Sequence, residues 1–324
     1  MKFLDLFAGI GGFRMGLESL GHECVGFCEI DKFARKSYKA IYDTEGEIEL
    51  HDITQVTNEE WRKFRGTVDL ICGGFPCQAF SIAGKRKGFL DEIRGTLFFE
   101  IARAAKEIQP PLLFLENVKG LLSHDKGRTF RTILSTLDEL GYDAEWQVLN
   151  SKDFGVPQNR ERVYIVGHFR GAGGRPVFPI RGESKTTNQE SSKVMVIDDQ
   201  GRKNKKTSPK HIVPTLRAQS HGNEPKVVIP VLTPDRVKKR QNGRRFKTDG
   251  EPMFTLTAQD RHGVMTEGLK IRKLTPRECW RLQGFPDWAF DKAQEVNSKT
   301  QLYKQAGNSV TVNVIKAIAE RLKK

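Results

Sequence analysis

Asp5-Leu6-Phe7-Ala8-Gly9-Ile10-Gly11-Gly12-Phe13 is the stretch whose reading decides the fold. It follows an apolar run at residues 2–7 and opens a segment of helical spacing, so a strand turns into a helix through a glycine-rich bend. Glycines there let the backbone pass close to a ligand with no Cβ in the way. The spacing departs from the dinucleotide pattern G-x-G-x-x-G, which ranks a nicotinamide enzyme low. Further apolar runs occupy residues 23–30, 68–73, 112–116, 144–149 and 162–169, with helical periodicity between them, clearest at 96–108 and 129–140. Such alternation predicts an α/β fold, a Rossmann-like, mostly parallel sheet with helices on both faces. Ligands in such sheets bind at the carboxyl ends of the strands, beside the reversal of strand order.

Those strand ends hold the residues with chemistry. The second run ends at Cys28-Glu29-Ile30, where an acid about 20 residues beyond the glycine bend suits ribose hydroxyls. His51-Asp52-Ile53 sets an acceptor for an adenine amino group beside an apolar side chain for its face. Taken singly, Glu29 and Asp52 read more simply as helix caps. The run at 68–73 leads into Gly73-Gly74-Phe75-Pro76-Cys77-Gln78, which puts Cys77 in a turn just past a strand end. Cys24, Cys28 and Cys72 lie within strand patterns and read as inert small hydrophobes. Cys77 is reactive if its thiol is acidified. Residues 80–89 follow with hinge glycines and the cluster Lys85-Arg86-Lys87, as a lid closing over nucleic acid needs. Glu116 ends another apolar run, a costly place for a carboxylate unless it is paired or protonated. Arg160 and Arg162, two apart, share a face if extended. They read either as surface arginines or, at the mouth of a crevice with a thiol and a carboxylate, as substrate clamps.

Composition sets the partner class. With 324 residues and 37% hydrophobic content the chain can bury one large core or two ordinary ones. A net charge of +14 and a pI of 9.6 point to a polyanion, although a merely soluble basic protein gives the same figures. Five cysteines without a CxxC pair, and seven histidines without ligand spacing, argue against disulfides and zinc and fit a reducing cytoplasm. No apolar run approaches the ~18 residues of a membrane span, and the N-terminus reads as a first buried strand. The character changes near Gly171-Ala172-Gly173-Gly174. Residues 181–273 hold 21 Lys/Arg against 10 Asp/Glu, +11 of the whole +14, with short β-like runs such as 227–232. These apolar runs argue for a small loop-rich domain over disorder. Within it Thr215-Leu216-Arg217-Ala218-Gln219 is echoed by Thr255-Leu256-Thr257-Ala258-Gln259. The echo suits base-reading amides, with Arg217, His221 and Arg261 nearby, and it equally suits two similar edge strands. Residues 309–322 have the apolar spacing of an amphipathic helix.

Six motifs in order give the chain a family resemblance: D-L-F-A-G-I-G-G-F at 5–13, G-F-P-C-Q at 74–78, E-N-V at 116–118, Q-N-R-E-R at 158–162, R-x-x-x-R-L-Q-G-F-P at 277–286 and G-N-S-V at 307–310. Together they resemble the bacterial and phage DNA (cytosine-5) methyltransferases, essentially end to end. The resemblance implies methyl transfer from S-adenosyl-L-methionine to C5 of a cytosine flipped out of double-stranded DNA. It implies Cys77 as nucleophile at C6, Glu116 at N3 and the exocyclic amine, and Arg160 and Arg162 as orienting residues. It implies a cofactor pocket of Phe7, Ala8, Gly9, Gly11, Glu29, Ile30, Asp52, Ile53, Pro76, Leu97, Asn308 and Ser309. DNA contacts are expected at Lys85, Arg86, Arg217, Gln219, Thr255, Leu256, Gln259 and Arg261. The implied organisation is a catalytic domain over 1–175 completed by a helix at 305–324, a target-recognition domain over 181–271, and a connection over 272–304. No metal or membrane, a monomer in action, and a restriction endonuclease that need not touch the chain complete the expectation. The rivals are a transfer-RNA methyltransferase of the same chemistry, disfavoured by the full basic segment, and a catalytically silent DNA-binding module, disfavoured by the intact set around Cys77.

Overall fold

The computed structural model describes residues 1–76, 97–182, 229–234, 244–248, 250–266 and 270–322. Seven strands form one sheet: β1 (Lys2–Leu6), β2 (Glu23–Cys28), β3 (Ile48–Leu50), β4 (Leu70–Gly74), β5 (Leu112–Val118), β6 (Tyr142–Asn150) and β7 (Glu161–Phe169). Their order is β3-β2-β1-β4-β5-β7-β6, with β1 to β5 parallel and β7 antiparallel to both its neighbours. The chain winds outward from the β1–β4 pair in both directions, so the order reverses there and a crevice opens at the strand ends.

Period-2 alternation explains the layering. Leu4, Ile71 and Leu113 point to one face, under Trp61 of α3 (Asn58–Arg62), Phe98 and Ile101 of α4 (Leu97–Ile108), and Ile133 of α5 (Arg128–Glu139). Phe3, Leu70 and Phe114 point to the other, under Phe13 and Leu17 of α1 (Gly12–Glu18). Asp5 is the exception in β1. It is fully buried, which pushes its carboxyl well above the usual range, tempered by the Arg14 guanidinium, the Tyr38 hydroxyl and the Cys72 thiol.

A third core joins Tyr38 and Ile41 of α2 (Lys32–Ile41) to α6 (Pro276–Leu282), α7 (Asp287–Val296) and α8 (Lys299–Asn308) through Trp280, Phe290 and Leu302. The segment expected as a connection at 272–304 is therefore a packed helical layer. The helix expected over 309–322 is shorter: α9 spans Val312–Ala319, and Ser309, Val310 and Thr311 form an extended turn between α8 and α9. Within the basic segment, β8 (Ile229–Leu232), β9 (His262–Thr266) and β10 (Lys270–Lys273) make a small antiparallel sheet in the order β10-β9-β8.

Candidate active site

A cleft of about 460 Å³ opens where β1, β2, β4 and β5 end, at the reversal of strand order. Its first wall is the bend after β1. Tyr42 clamps this bend, its hydroxyl donating to the Gly11 carbonyl at 2.7 Å. Gly11 has φ of 80°, and a Cβ there would lie 2.3 Å from the Tyr42 ring, so the glycine is needed for packing under the bend. Phe7, Gly9 and Ile10 line the cleft, whereas Ala8 and Gly11 are buried beneath it.

The wall at the end of β2 is acidic and apolar together. Glu29 is no cap: its two carboxyl oxygens accept from the Gly9 N–H at 2.8 Å and the Asp31 N–H at 2.7 Å. Burial raises its pKa, against those two donors. Ile30 stands 69% exposed in the cleft, an unusual position for a large aliphatic side chain, which suits a flat apolar ligand face. Asp52 does cap, accepting from Thr54 N–H at 3.0 Å ahead of the 3₁₀ turn at Ile53–Gln55, and it lines the cleft with Ile53 as well.

The floor is β4 and β5. Gly74, Phe75 and Pro76 lead into the cleft, and Asn117 holds them by donating to the Phe75 carbonyl at 2.8 Å. The sequence reading missed Asn117, whose signal was a second polar residue beside Glu116 in an apolar run. Glu116 pairs in register with Gly74, and Arg162 Nε reaches its Oε1 at 3.0 Å from the neighbouring β7. Burial raises the Glu116 carboxyl, opposed by Arg162 and then Arg160. Cys77, next in the chain after Pro76, lies outside the described residues, as do Lys85, Arg86, Arg217, Gln219 and His221. The described cysteines are all buried. Burial pushes the thiols of Cys24, Cys28 and Cys279 up to about 12, and that of Cys72 well above its usual value.

Arg160 differs from Arg162. Its guanidinium, 3% exposed, donates to the carbonyls of Leu256 at 2.9 Å, Ser309 at 2.7 Å and Gly307 at 3.3 Å, while its Nε has no partner. Burial and then Arg162 push its pKa down to about 9, still protonated at neutral pH. Arg160 thus borders the cleft but spends its fork on three carbonyls of two backbone segments. The Thr255-Leu256 pair is spent in the same joint: the Thr255 hydroxyl donates to the Asn159 carbonyl, and Leu256 N–H donates to Gln158 Oε1 at 3.1 Å. Leu256, expected among the DNA contacts, has its side chain buried among core residues. Gly307 lets this segment close on α8, since a Cβ there would fall 2.3 Å from the Thr257 carbonyl carbon. Gln259 is exposed and the Arg261 guanidinium lies 4.5 Å from the Tyr303 ring centre. Leu97, Asn308 and Ser309 also line the cleft. Asp31, His51, Lys304 and Gln305 also line it and were not foreseen. Among the described residues no group of three His, Cys, Asp or Glu could hold a metal ion, and no described helix is long and apolar enough to cross a membrane.

An acid-and-arginine pair beside a cleft at the strand ends is the arrangement that the six motifs imply, and comparison with known proteins gives the family those motifs resemble. The family model for the C-5 cytosine-specific DNA methylase matches residues 1–324. The chain belongs to the C-5 cytosine-specific DNA methylase family. Its reaction is therefore methylation of cytosine C5 in DNA, and the methyl donor general to such enzymes is S-adenosylmethionine. Type II methyltransferase M.HpaII of Haemophilus parainfluenzae is 40% identical, with 99% of this chain and 88% of the relative covered. Type II methyltransferase M.HhaI of Haemophilus parahaemolyticus is 40% identical over 98% of this chain and 93% of the relative. The orphan methyltransferase M.SPRI of Bacillus phage SPR is 34% identical over 99% and 97%. Among solved structures, a DNA modification methyltransferase encoded within an E. coli prophage superposes with a TM-score of 0.66 at 20% identity, covering 99% of this chain and 97% of that one, a likeness of fold.

Proposed function

We propose that this DNA cytosine methyltransferase works through a covalent adduct between Cys77 and C6 of a flipped-out cytosine, with Glu116 and Arg162 holding the base. The observation that supports this reading most is the buried Glu116–Arg162 pair at the end of β5, directly beside Gly74-Phe75-Pro76 and sharing one cleft with Glu29 and Ile30. Cys77 is the remaining thiol once four are buried with raised pKa values. Its thiolate forms the S–C6 bond, and the ring electrons move toward C5. Burial favours the protonated form of the Glu116 carboxyl, and in that form it donates at N3 and accepts from the exocyclic amine, which withdraws charge from the ring. Arg162 fixes that carboxyl. C5 then takes the methyl group and loses its proton to solvent, and the S–C6 bond breaks to release the thiolate as the C5–C6 double bond re-forms. The base must leave the stack for C6 to be reached.

S-adenosylmethionine, when bound, supplies an electrophilic methyl group. The cleft suits it: Glu29, pinned by two N–H groups, is placed to accept from ribose hydroxyls, Asp52 and the exposed Ile30 to take an adenine edge and face, and Phe7, Gly9, Ile53, Pro76, Leu97, Asn308 and Ser309 to line the remainder. We assign the basic segment 181–271, with the β8–β9–β10 sheet, to target recognition, and residues 1–175 with the C-terminal helices to catalysis. One chain then supplies every group, so a monomer suffices, working in the cytoplasm of a bacterial host with or without a cognate restriction endonuclease. The test is incorporation of labelled methyl from S-adenosylmethionine into duplex DNA and into transfer RNA. Duplex DNA should be labelled at C5 of cytosine within one short site. Label found in transfer RNA alone would overturn the reading.

A further inference from the structure

The cofactor cleft has a rim that the six motifs do not include. Lys304, on α8, places its Nζ 2.6 Å from Asp31 Oδ2 at the start of α2. Asp31 is the N-cap of α2, its Oδ1 accepting from the Phe33 N–H at 2.8 Å and the Ala34 N–H at 3.3 Å. Its own N–H donates to Glu29 Oε1 at 2.7 Å. Glu29, Asp31 and Lys304 thus form one bonded line along the cleft, and all three line it. Asn308, one helical turn beyond Lys304, lines the cleft as well. Burial acts to raise the Asp31 carboxyl, but the Lys304 ammonium and the two capping N–H groups outweigh it and hold it below the usual range.

The helices do not need this bridge to stay docked. Gln305, buried beneath it, donates to the Phe33 carbonyl at 3.0 Å and accepts from the Ser37 hydroxyl at 3.0 Å. Asn297 adds a bond to the same carbonyl at 2.8 Å. The Lys304 and Asp31 side chains are 46% and 26% exposed, and an ion pair this open contributes little to folding. A bridge that is marginal for the fold and lies on the rim of a ligand cleft has its consequence at the ligand.

We propose that Lys304 and Asp31 form an electrostatic strap across the adenosyl end of the cleft that retards cofactor release. The inference rests on the assignment of Glu29 and Ile30 to the cofactor. Lys304 and Asp31 are positioning residues: the strap fixes the N-terminus of α2, and with it Glu29 and Ile30, against the wall that ends in Asn308. Breaking it frees the Asp31 and Lys304 side chains at the rim while the Gln305 and Asn297 bonds keep the helices docked, and shortens the residence of the bound cofactor.

The experiment uses Lys304→Met, Asp31→Asn and the double variant of the full chain. Asparagine keeps the N-cap oxygen of α2 while removing the charge. Each single change should raise the Kd for S-adenosylmethionine and its dissociation rate about three- to fivefold, the equilibrium equivalent of an ion pair this exposed. At saturating cofactor kcat should stay within about twofold of wild type, a split between KM and kcat that a folding defect would not give. The double variant should be no worse than either single one, and the gap to wild type should shrink at high salt. Lys304→Arg should restore binding. The strap is overturned if Lys304→Met weakens binding while Asp31→Asn does not, since the lysine would then touch the cofactor by itself, or if neither change alters release. Glu29→Gln is the parallel control: unchanged cofactor affinity in that variant would overturn the cofactor assignment, and the strap with it.

Discussion

Arg160 and Arg162 are two residues apart in one motif, and the structure predicts opposite consequences for their loss. Arg160→Ala removes donors to the carbonyls of Leu256, Ser309 and Gly307, all in buried surroundings. A hydrogen bond from a charged donor contributes about 1.5–3 kcal/mol, and a stranded buried acceptor costs about 1–3 kcal/mol. These terms overlap, and the truncation also relieves a buried charge whose pKa is pushed down to about 9, so a net loss of about 3–5 kcal/mol is expected. At about 2 °C per kcal/mol for a chain of this size, the apparent Tm should fall by about 6–10 °C. Arg162→Ala removes one ion pair, to Glu116, and an exposed hydrogen bond to the Glu161 carbonyl at 2.8 Å. The stranded carboxyl, already raised by burial, answers by taking up a proton, and Tm should move by about 2 °C or less. Methyl transfer by Arg162→Ala should nonetheless drop about a hundredfold or more, because the base-holding carboxyl loses its orientation. Differential scanning fluorimetry beside methyl-transfer rates at saturating cofactor and DNA separates the two. Equal Tm losses, or an Arg160→Ala enzyme with wild-type stability, would refute the clasp.

Glu116→Gln should lower methyl transfer about 10²–10⁴-fold while leaving the cofactor Kd unchanged by calorimetry. Its stability has a definite pH sign. Because burial raises the folded-state pKa of Glu116, the folded chain holds that proton more tightly than the unfolded one; the linked stability is complete below the ordinary carboxylate range and is lost as pH rises through the raised value. The Tm of the glutamine variant relative to wild type should therefore climb as pH rises above the ordinary carboxylate range, and a relative fall there would contradict the assignment. Gln219→Ala and Gln259→Ala test the echoed segments: assayed on the mapped site and its single-base variants, a base-reading amide should lose discrimination at particular positions while binding to unrelated DNA persists, and wild-type specificity and rate in both would make the echo structural.

Much of the fold was legible because the central strands are buried on both faces. Runs such as Leu70-Ile71-Cys72 and Leu112-Leu113-Phe114-Leu115 have nearly no polar interruption, and the observed β4 and β5 differ from the expected runs by no more than two residues at either end. Strand β3 was not foreseen, since three half-exposed edge residues leave no periodic trace. The helical layer at 276–308 was missed although Thr275-Pro276-Arg277-Glu278 spells a capping box with proline in the first turn, which the structure realises through reciprocal bonds between Thr275 and Glu278. At the site, the acids at strand ends were readable as types and places. What they bond to was not: Glu29 is pinned by backbone N–H groups of two separate segments, and Asp52 both caps and faces the cleft. The division of labour between Arg160 and Arg162 was invisible as well, because it depends on carbonyls from positions 256, 307 and 309, brought together only by tertiary packing.

The central claim, a covalent route through Cys77, is tested most directly by trapping. Duplex DNA with 5-fluorocytosine at the mapped target base is incubated with S-adenosylmethionine and wild-type enzyme or Cys77→Ser, and the mixtures are resolved under denaturing conditions. Fluorine at C5 cannot leave as a proton does, so elimination of the thiolate is blocked after methyl transfer. The account predicts a denaturation-resistant protein–DNA adduct with wild type, mapped to Cys77, and none with the serine variant. A wild-type enzyme that methylates ordinary duplex yet forms no adduct, or an adduct that survives the loss of Cys77, would contradict it.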